Sequence, residues 1–136
     1  MARESWASMF WTLVPEMTTI PRAGSAAFRA DGKRIAYTPV RDMTRTWKRY
    51  RGGGTGPVWV YDPETHGIEE APHVNATDAS PCWAGDTVYF RSDRDGLMDI
   101  FRWKPGTGTV ENLTRFREYG VRVMSGGGGV IAFERG

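Results

Sequence analysis

Apolar positions in this chain fall in short runs, rich in aromatic and β-branched residues and bounded by Gly, Pro and Asp, which is the pattern of an all-β protein. Two kinds of paired run recur. In the first, Val58-Trp59-Val60-Tyr61-Asp62-Pro63-Glu64-Thr65 leads through His66-Gly67 to Ile68-Glu69-Glu70. Ile100-Phe101-Arg102-Trp103-Lys104-Pro105-Gly106-Thr107 leads through Gly108 to Thr109-Val110-Glu111, and Phe10-Trp11-Thr12-Leu13-Val14-Pro15-Glu16-Met17 leads to Thr18-Thr19-Ile20. Each is an aromatic-rich strand, a proline, a turn and a return strand. Proline fixes φ and donates no hydrogen bond, so it suits the strand exit.

The second kind is an apolar run, a tight turn and another apolar run. It appears at Ala26-Ala27-Phe28 and Ile35-Ala36-Tyr37 around Asp31-Gly32, and at Pro81-Cys82-Trp83 and Val88-Tyr89-Phe90 around Gly85-Asp86. It appears again at Val121-Arg122-Val123-Met124 and Val130-Ile131-Ala132-Phe133, around glycines 126 to 129. Asp-Gly fits the positive-φ positions of a tight hairpin.

Reading the second kind as strands a and b and the first as strands c and d, the order along the chain is cd, abcd, abcd, ab. This self-similarity, at about 42 to 53 residues, matches the period of β-propeller blades. The expected fold is therefore all-β, with antiparallel four-stranded blades and about three blade equivalents in the chain. Residues 1–22 would supply strands c and d of a split blade, 23–75 one blade, 76–115 a second, and 116–136 strands a and b of the split blade.

The chain has 136 residues, enough to bury a core, with 40% hydrophobic and 25% charged residues. A formal net charge of +2 does not commit it to nucleic acid, which is not expected as a partner. The single cysteine, Cys82, excludes an intrachain disulfide, and its place in an inner strand predicts a buried small hydrophobe. No apolar run approaches the roughly 18 residues of a membrane helix, and Met9–Val14 does not read as a signal peptide. No membrane association is expected, and the cytoplasm is the expected compartment.

Several segments resemble a known family. Gly32-Lys33-Arg34-Ile35-Ala36-Tyr37-Thr38-Pro39, Thr46-Trp47-Lys48-Arg49-Tyr50-Arg51-Gly52-Gly53, Val58-Trp59-Val60-Tyr61-Asp62 and Val88-Tyr89-Phe90-Arg91-Ser92-Asp93-Arg94-Asp95-Gly96 are similar to the six-bladed propeller of tricorn-type proteases. Asn112-Leu113-Thr114 resembles a blade end in that family and in TolB-like propellers. The resemblance implies half of one six-bladed propeller. It also implies that the family's PDZ-like and serine peptidase domains are not in this sequence, so no catalytic residue carries over.

Candidate chemistry is sparse. Asp93, Asp95 and Asp99 have spacing that could serve a cation. The plainer reading is a b–c turn in which Asp caps backbone N–H groups and Arg94 pairs with a neighbouring carboxylate. His66 and His73 read as solvated loop residues, and no Cys/His cluster predicts a metal. Glycines 126 to 129 lack the Lys-Ser/Thr of a phosphate loop and read as a flexible hairpin. No Gly-x-Ser-x-Gly motif occurs, and no catalytic residue, metal or cofactor is expected.

An insertion at residues 41–56 carries charge, concentrated from Arg41 to Arg51. Arg41, Arg45, Lys48, Arg49 and Arg51 stand against Asp42, with Trp47 and Tyr50 interleaved. Arg45, Trp47, Lys48, Arg49, Tyr50 and Arg51 are the candidate ligand-binding residues, suited to a phosphate, a peptide carboxylate or a nucleic-acid strand. The alternative is a long b–c loop that packs its aromatics on the propeller face.

Known propellers have about four to eight blades, so three cannot close alone. Two copies would make six, each copy's Phe10–Ile20 hairpin completing the other's Val121–Phe133 hairpin. A homodimeric six-bladed ring is therefore expected. The expected function is non-catalytic binding of a peptide, a protein or a small anion at the loop face or channel. The alternatives are an accessory subunit of a separately encoded peptidase and a hydrolase with a site across the dimer.

Overall fold

The computed structural model describes residues 23–39, 51–53 and 55–136. The expected hairpin at Phe10–Ile20 lies outside the described residues. Strands β1 (Ser25–Phe28), β2 (Ile35–Thr38), β3 (Trp59–Tyr61) and β4 (Ile68–Glu70) form one antiparallel sheet in chain order. Strands β5 (Asp78–Ala84), β6 (Thr87–Ser92), β7 (Asp99–Trp103) and β8 (Val110–Asn112) form a second in the same order. Strands β9 (Val121–Gly127) and β10 (Val130–Arg135) form a hairpin. No helix occurs among the described residues.

Local chemistry sets the turns. Gly32 has φ 71° in the β1–β2 turn, where the Asp31 carboxylate accepts the Lys33 N–H at 3.0 Å. Hydrogen bonds from the Arg29 guanidinium, then that Lys33 N–H and the charge of Arg29, pull the Asp31 carboxyl down to about 2. Pro63 and Pro105 lie two residues past the ends of β3 and β7, where a missing N–H costs no ladder bond.

The sheets pack face to face, and alternation along each strand decides which residue meets which neighbour. On the second sheet, Trp83, Val88, Phe90, Phe101 and Trp103 pack toward the first, against Ala36, Val58, Val60 and Ala71. The other face sends Cys82, Tyr89 and Ile100 toward Val121, Met124 and Ile131 of the hairpin. A sheet buried on both faces reads as the nearly continuous apolar run Val88-Tyr89-Phe90. Trp83 also donates its indole N–H to the Ala27 carbonyl at 3.1 Å, a polar tie between sheets. Cys82 is buried as expected, and desolvation pushes its thiol up to about 11.

Two expected boundaries move. Strand β5 begins at Asp78 rather than at Pro81, because a bulge between Ala79 and Cys82 lets the strand pass through proline. Ser80 takes φ 52° there. Strand β9 runs on through Gly127, so only Gly128 and Gly129, with φ 58° and 78°, make the turn. Gly126 is a strand residue because the hairpin approaches β5 closely: a Cβ there would lie 2.9 Å from the Cys82 Cβ.

Candidate functional site

Because the strands alternate in direction, the b–c and d–a connections share one end of the sheets. That end gathers Arg51 from the β2–β3 connection, Asp93 and Arg94 from β6–β7, and His73 and Thr77 from β4–β5.

The described polar groups there satisfy one another. Asp93 is buried. Its carboxylate accepts Arg51 Nη1 at 2.8 Å and the Thr77 N–H at 2.9 Å. Arg51 Nη2 also donates to the Asp93 carbonyl at 2.9 Å. The b–c loops of adjacent sheets are thus riveted together through a fork and a backbone cap.

Beside this, Arg94 lies over the rings of Phe90 and Phe101, at 5.5 and 5.1 Å. It donates to both oxygens of the fully buried Asp78 carboxylate at 3.1 and 3.0 Å, and to the Pro72 carbonyl at 3.1 Å. His73 Nδ1 meets the same Asp78 carboxylate at 2.9 Å. His73 is therefore half-buried in a network, not a solvated loop residue as its sequence context implied. The packing of the d–a loop over the β5 start decides this. His66 is exposed, with φ 57°, and pairs with the Tyr61 hydroxyl at 2.7 Å.

The aspartates of the b–c turn take protein partners. Asp99 accepts the Thr114 hydroxyl at 2.7 Å, the Phe116 N–H at 2.9 Å and the Asn112 amide at 3.0 Å. Asp95 accepts the same Asn112 amide at 2.8 Å. Of these contacts the Phe116 N–H is a backbone cap of the kind the plainer reading expects, and the others come from side chains. Among the described residues, no group of three or more His, Cys, Asp or Glu is placed to hold a metal ion.

Of the six candidate ligand residues, the structure places Arg51, whose guanidinium grips Asp93. Arg45, Trp47, Lys48, Arg49 and Tyr50 lie outside the described residues. The sequence reading missed Arg91. This buried side chain on β6 donates to Ser80 Oγ at 2.9 Å and to the Val121 and Arg122 carbonyls, clipping the hairpin to the second sheet. The signal was an arginine at an inward position of the run Phe90-Arg91-Ser92. No helix of the described residues is long and apolar enough to cross a membrane.

Successive four-stranded antiparallel sheets, stacked face to face with their loops gathered at common ends, are blades of a β-propeller. Residues 4–136 match the sequence profile of the tricorn protease N-terminal beta propeller domain. The chain belongs to this family.

The tricorn protease of Thermoplasma acidophilum is 27% identical over 107 residues, covering 79% of this chain and 10% of that protein. Putative tricorn protease homolog 2 of Streptomyces coelicolor is 30% identical over 106 residues, covering 74% of this chain and 8% of that protein. Among solved structures, the tricorn protease superposes with a TM-score of 0.68 at 25% identity, covering 83% of this chain and 11% of that one. Putative TolB from Agrobacterium tumefaciens superposes with a TM-score of 0.57 at 21% identity, covering 79% and 35%, and shares the propeller fold. The chain spans about a tenth of the length of the curated relatives it matches.

Proposed function

We propose that this tricorn-type propeller domain is a non-catalytic binding module that takes an anionic peptide at its b–c and d–a loop end. The observation that carries the reading is the Arg51–Asp93 fork, which holds Arg51, the last residue of the basic 41–51 stretch, against the neighbouring blade's loop. A stretch tied down at one end presents its remaining charges with less entropy to lose on binding. The matched relatives are named as proteases, which favours a peptide over other anions.

Arg51 then acts as anchor, while Arg45, Lys48 and Arg49 supply charge and Trp47 and Tyr50 supply stacking surface. Replacing Arg45, Lys48 and Arg49 together by Ser separates charge from anchoring. The probe is a fluorescein-labelled oligoglutamate peptide, followed by anisotropy. Binding to the unaltered protein should weaken as salt rises. It should fall at least tenfold in the triple variant at unchanged melting temperature. Equal binding by the two proteins would overturn the reading.

A further inference from the structure

Most arginines at the loop end are occupied by protein groups. Arg51 holds Asp93, and Arg94 holds Asp78 and the Pro72 carbonyl. Arg135 donates Nε to the Tyr119 carbonyl at 3.0 Å and lies 4.1 Å over the Phe116 ring. Two arginines of the β8–β9 connection differ. Arg115 and Arg117 are exposed, and neither side chain has a hydrogen bond or ion pair among the described residues.

The backbone that carries them is fixed. Arg115 has φ 48°, the left-handed region that glycine enters without strain and a side-chain-bearing residue seldom does. Three successive N–H groups hold it there. Those of Thr114 and Arg115 donate to Asn112 Oδ1 at 3.1 and 3.2 Å, and that of Phe116 donates to Asp99 Oδ1 at 2.9 Å. Phe116 packs inward beside Val121, Met124 and Ile131, between the two exposed arginines. Stability alone would favour glycine at position 115. A strained residue whose side chain does nothing for the fold points to a role outside it.

The exposure of such a connection does not depend on the sheet that follows. The β4–β5 connection is of the same type, and the β6–β7 loop of the next sheet lies on it: Arg94 reaches the Pro72 carbonyl, and Asp93 accepts the Thr77 N–H. The middle of that connection nevertheless stays open, with Val74 51% exposed and Asn75 exposed beside it.

We propose that Arg115 and Arg117 receive two carboxylates of the anionic peptide, an inference that rests on the peptide reading above. The two residues are two apart in sequence, so their Cα atoms are at most about 7 Å apart. Side chains i and i+2 on one side of an extended peptide are separated by about 7 Å as well. Each guanidinium can take a carboxylate through a two-pronged, charge-assisted pair. Tyr119, 61% exposed, offers a ring for stacking on the same connection. Glu118 repels an acid placed opposite it, which helps set the register. The site is continuous with the end of the basic stretch: Arg51 grips Asp93, and two residues on, Asp95 accepts the Asn112 amide at 2.8 Å, the same Asn112 that holds the Arg115 N–H.

The test uses the fluorescein-labelled oligoglutamate peptide, followed by anisotropy, with three altered proteins. Arg115→Gly with Arg117→Ser removes both guanidiniums and relieves the strain. Lys33→Ser with Arg34→Ser removes the same charge at the opposite end of the sheets. Arg45, Lys48 and Arg49 changed together to Ser tests the peptide reading itself. The first variant should bind at least fivefold more weakly at an unchanged or raised melting temperature, and the second within twofold of the unaltered protein. If the first variant binds as the unaltered protein does while the Arg45, Lys48 and Arg49 variant loses binding, this proposal is overturned and the peptide reading stands. If the unaltered protein does not bind the probe at low salt, both are overturned. Equal weakening by the first two variants would reduce the effect to net charge and overturn the proposal, as would a fall in melting temperature for Arg115→Gly alone. Tighter binding of an oligothymidylate of the same length would overturn the assignment to a peptide.

Discussion

Trp83 gives the sharpest test of how the blades cohere. It extends from β5 into the cluster shared with the first blade, is 6% exposed, and donates its indole N–H to the Ala27 carbonyl at 3.1 Å. Two substitutions separate the contributions. Trp83→Phe removes the donor and part of the ring. Ala27 is half-buried, so water can reach the released carbonyl, and the lost hydrogen bond should cost about 1 kcal/mol. The smaller ring adds up to about 1 kcal/mol more. Trp83→Ala forfeits the packing as well, for about 3–5 kcal/mol, a large fraction of a stability of about 5–15 kcal/mol. For a chain of this size, 3 kcal/mol lowers the melting temperature by about 10 °C. The assay is equilibrium urea unfolding at one fixed protein concentration, since any self-association would add to the apparent stability. Trp83→Phe should shift the midpoint modestly and keep a single transition, with Trp83→Ala shifting it two to three times further. A Trp83→Ala cost below about 1 kcal/mol would refute the packing argument. Equal costs for both variants would show that the Ala27 hydrogen bond, not burial, holds the blades.

Three further outcomes are expected. Gly126→Ala should destabilise by about 1–3 kcal/mol, because the new methyl meets the Cys82 Cβ at 2.9 Å with β5 fixed behind it; calorimetry checks this. Cys82 should resist iodoacetamide at pH 8 in the folded protein and react at once in urea, since burial raises its thiol to about 11; mass spectrometry reads both states. The Asp31 carboxyl should titrate near pH 2 by NMR, against an ordinary value of about 4. Because the folded-state pKa is depressed, its contribution is complete above the unfolded value and disappears as pH falls through about 2, so Asp31→Asn should flatten the acid limb of the stability profile.

Much of the fold was legible from local rules. Period-two alternation, prolines past Tyr61 and Trp103 and glycines at turn positions act within a few residues, so strands and hairpins follow from neighbours in sequence. The repeat order then implied blades. The site was less legible. The basic residues of the 41–51 loop stand out by composition, but the partner of Arg51 does not: Asp93 is 42 residues away and meets it through the stacking of two blades. His73 looked like a loop residue because the carboxylate of Asp78 and the guanidinium of Arg94 converge on it only when the β4–β5 connection folds over the start of β5.

The bulge at Ser80 and the extension of β9 through Gly126 have the same origin. Each answers a contact between blades: Ser80 Oγ receives the Arg91 guanidinium, and Gly126 yields its space to Cys82. Backbone preference and alternation are short-range, so the sequence by itself determined which segments are strands and where they turn. Which polar groups pair, which glycines are obligatory and which loop is anchored were decided only by tertiary structure, because desolvation between stacked sheets makes each buried charge or N–H find its partner across a distance no local pattern records.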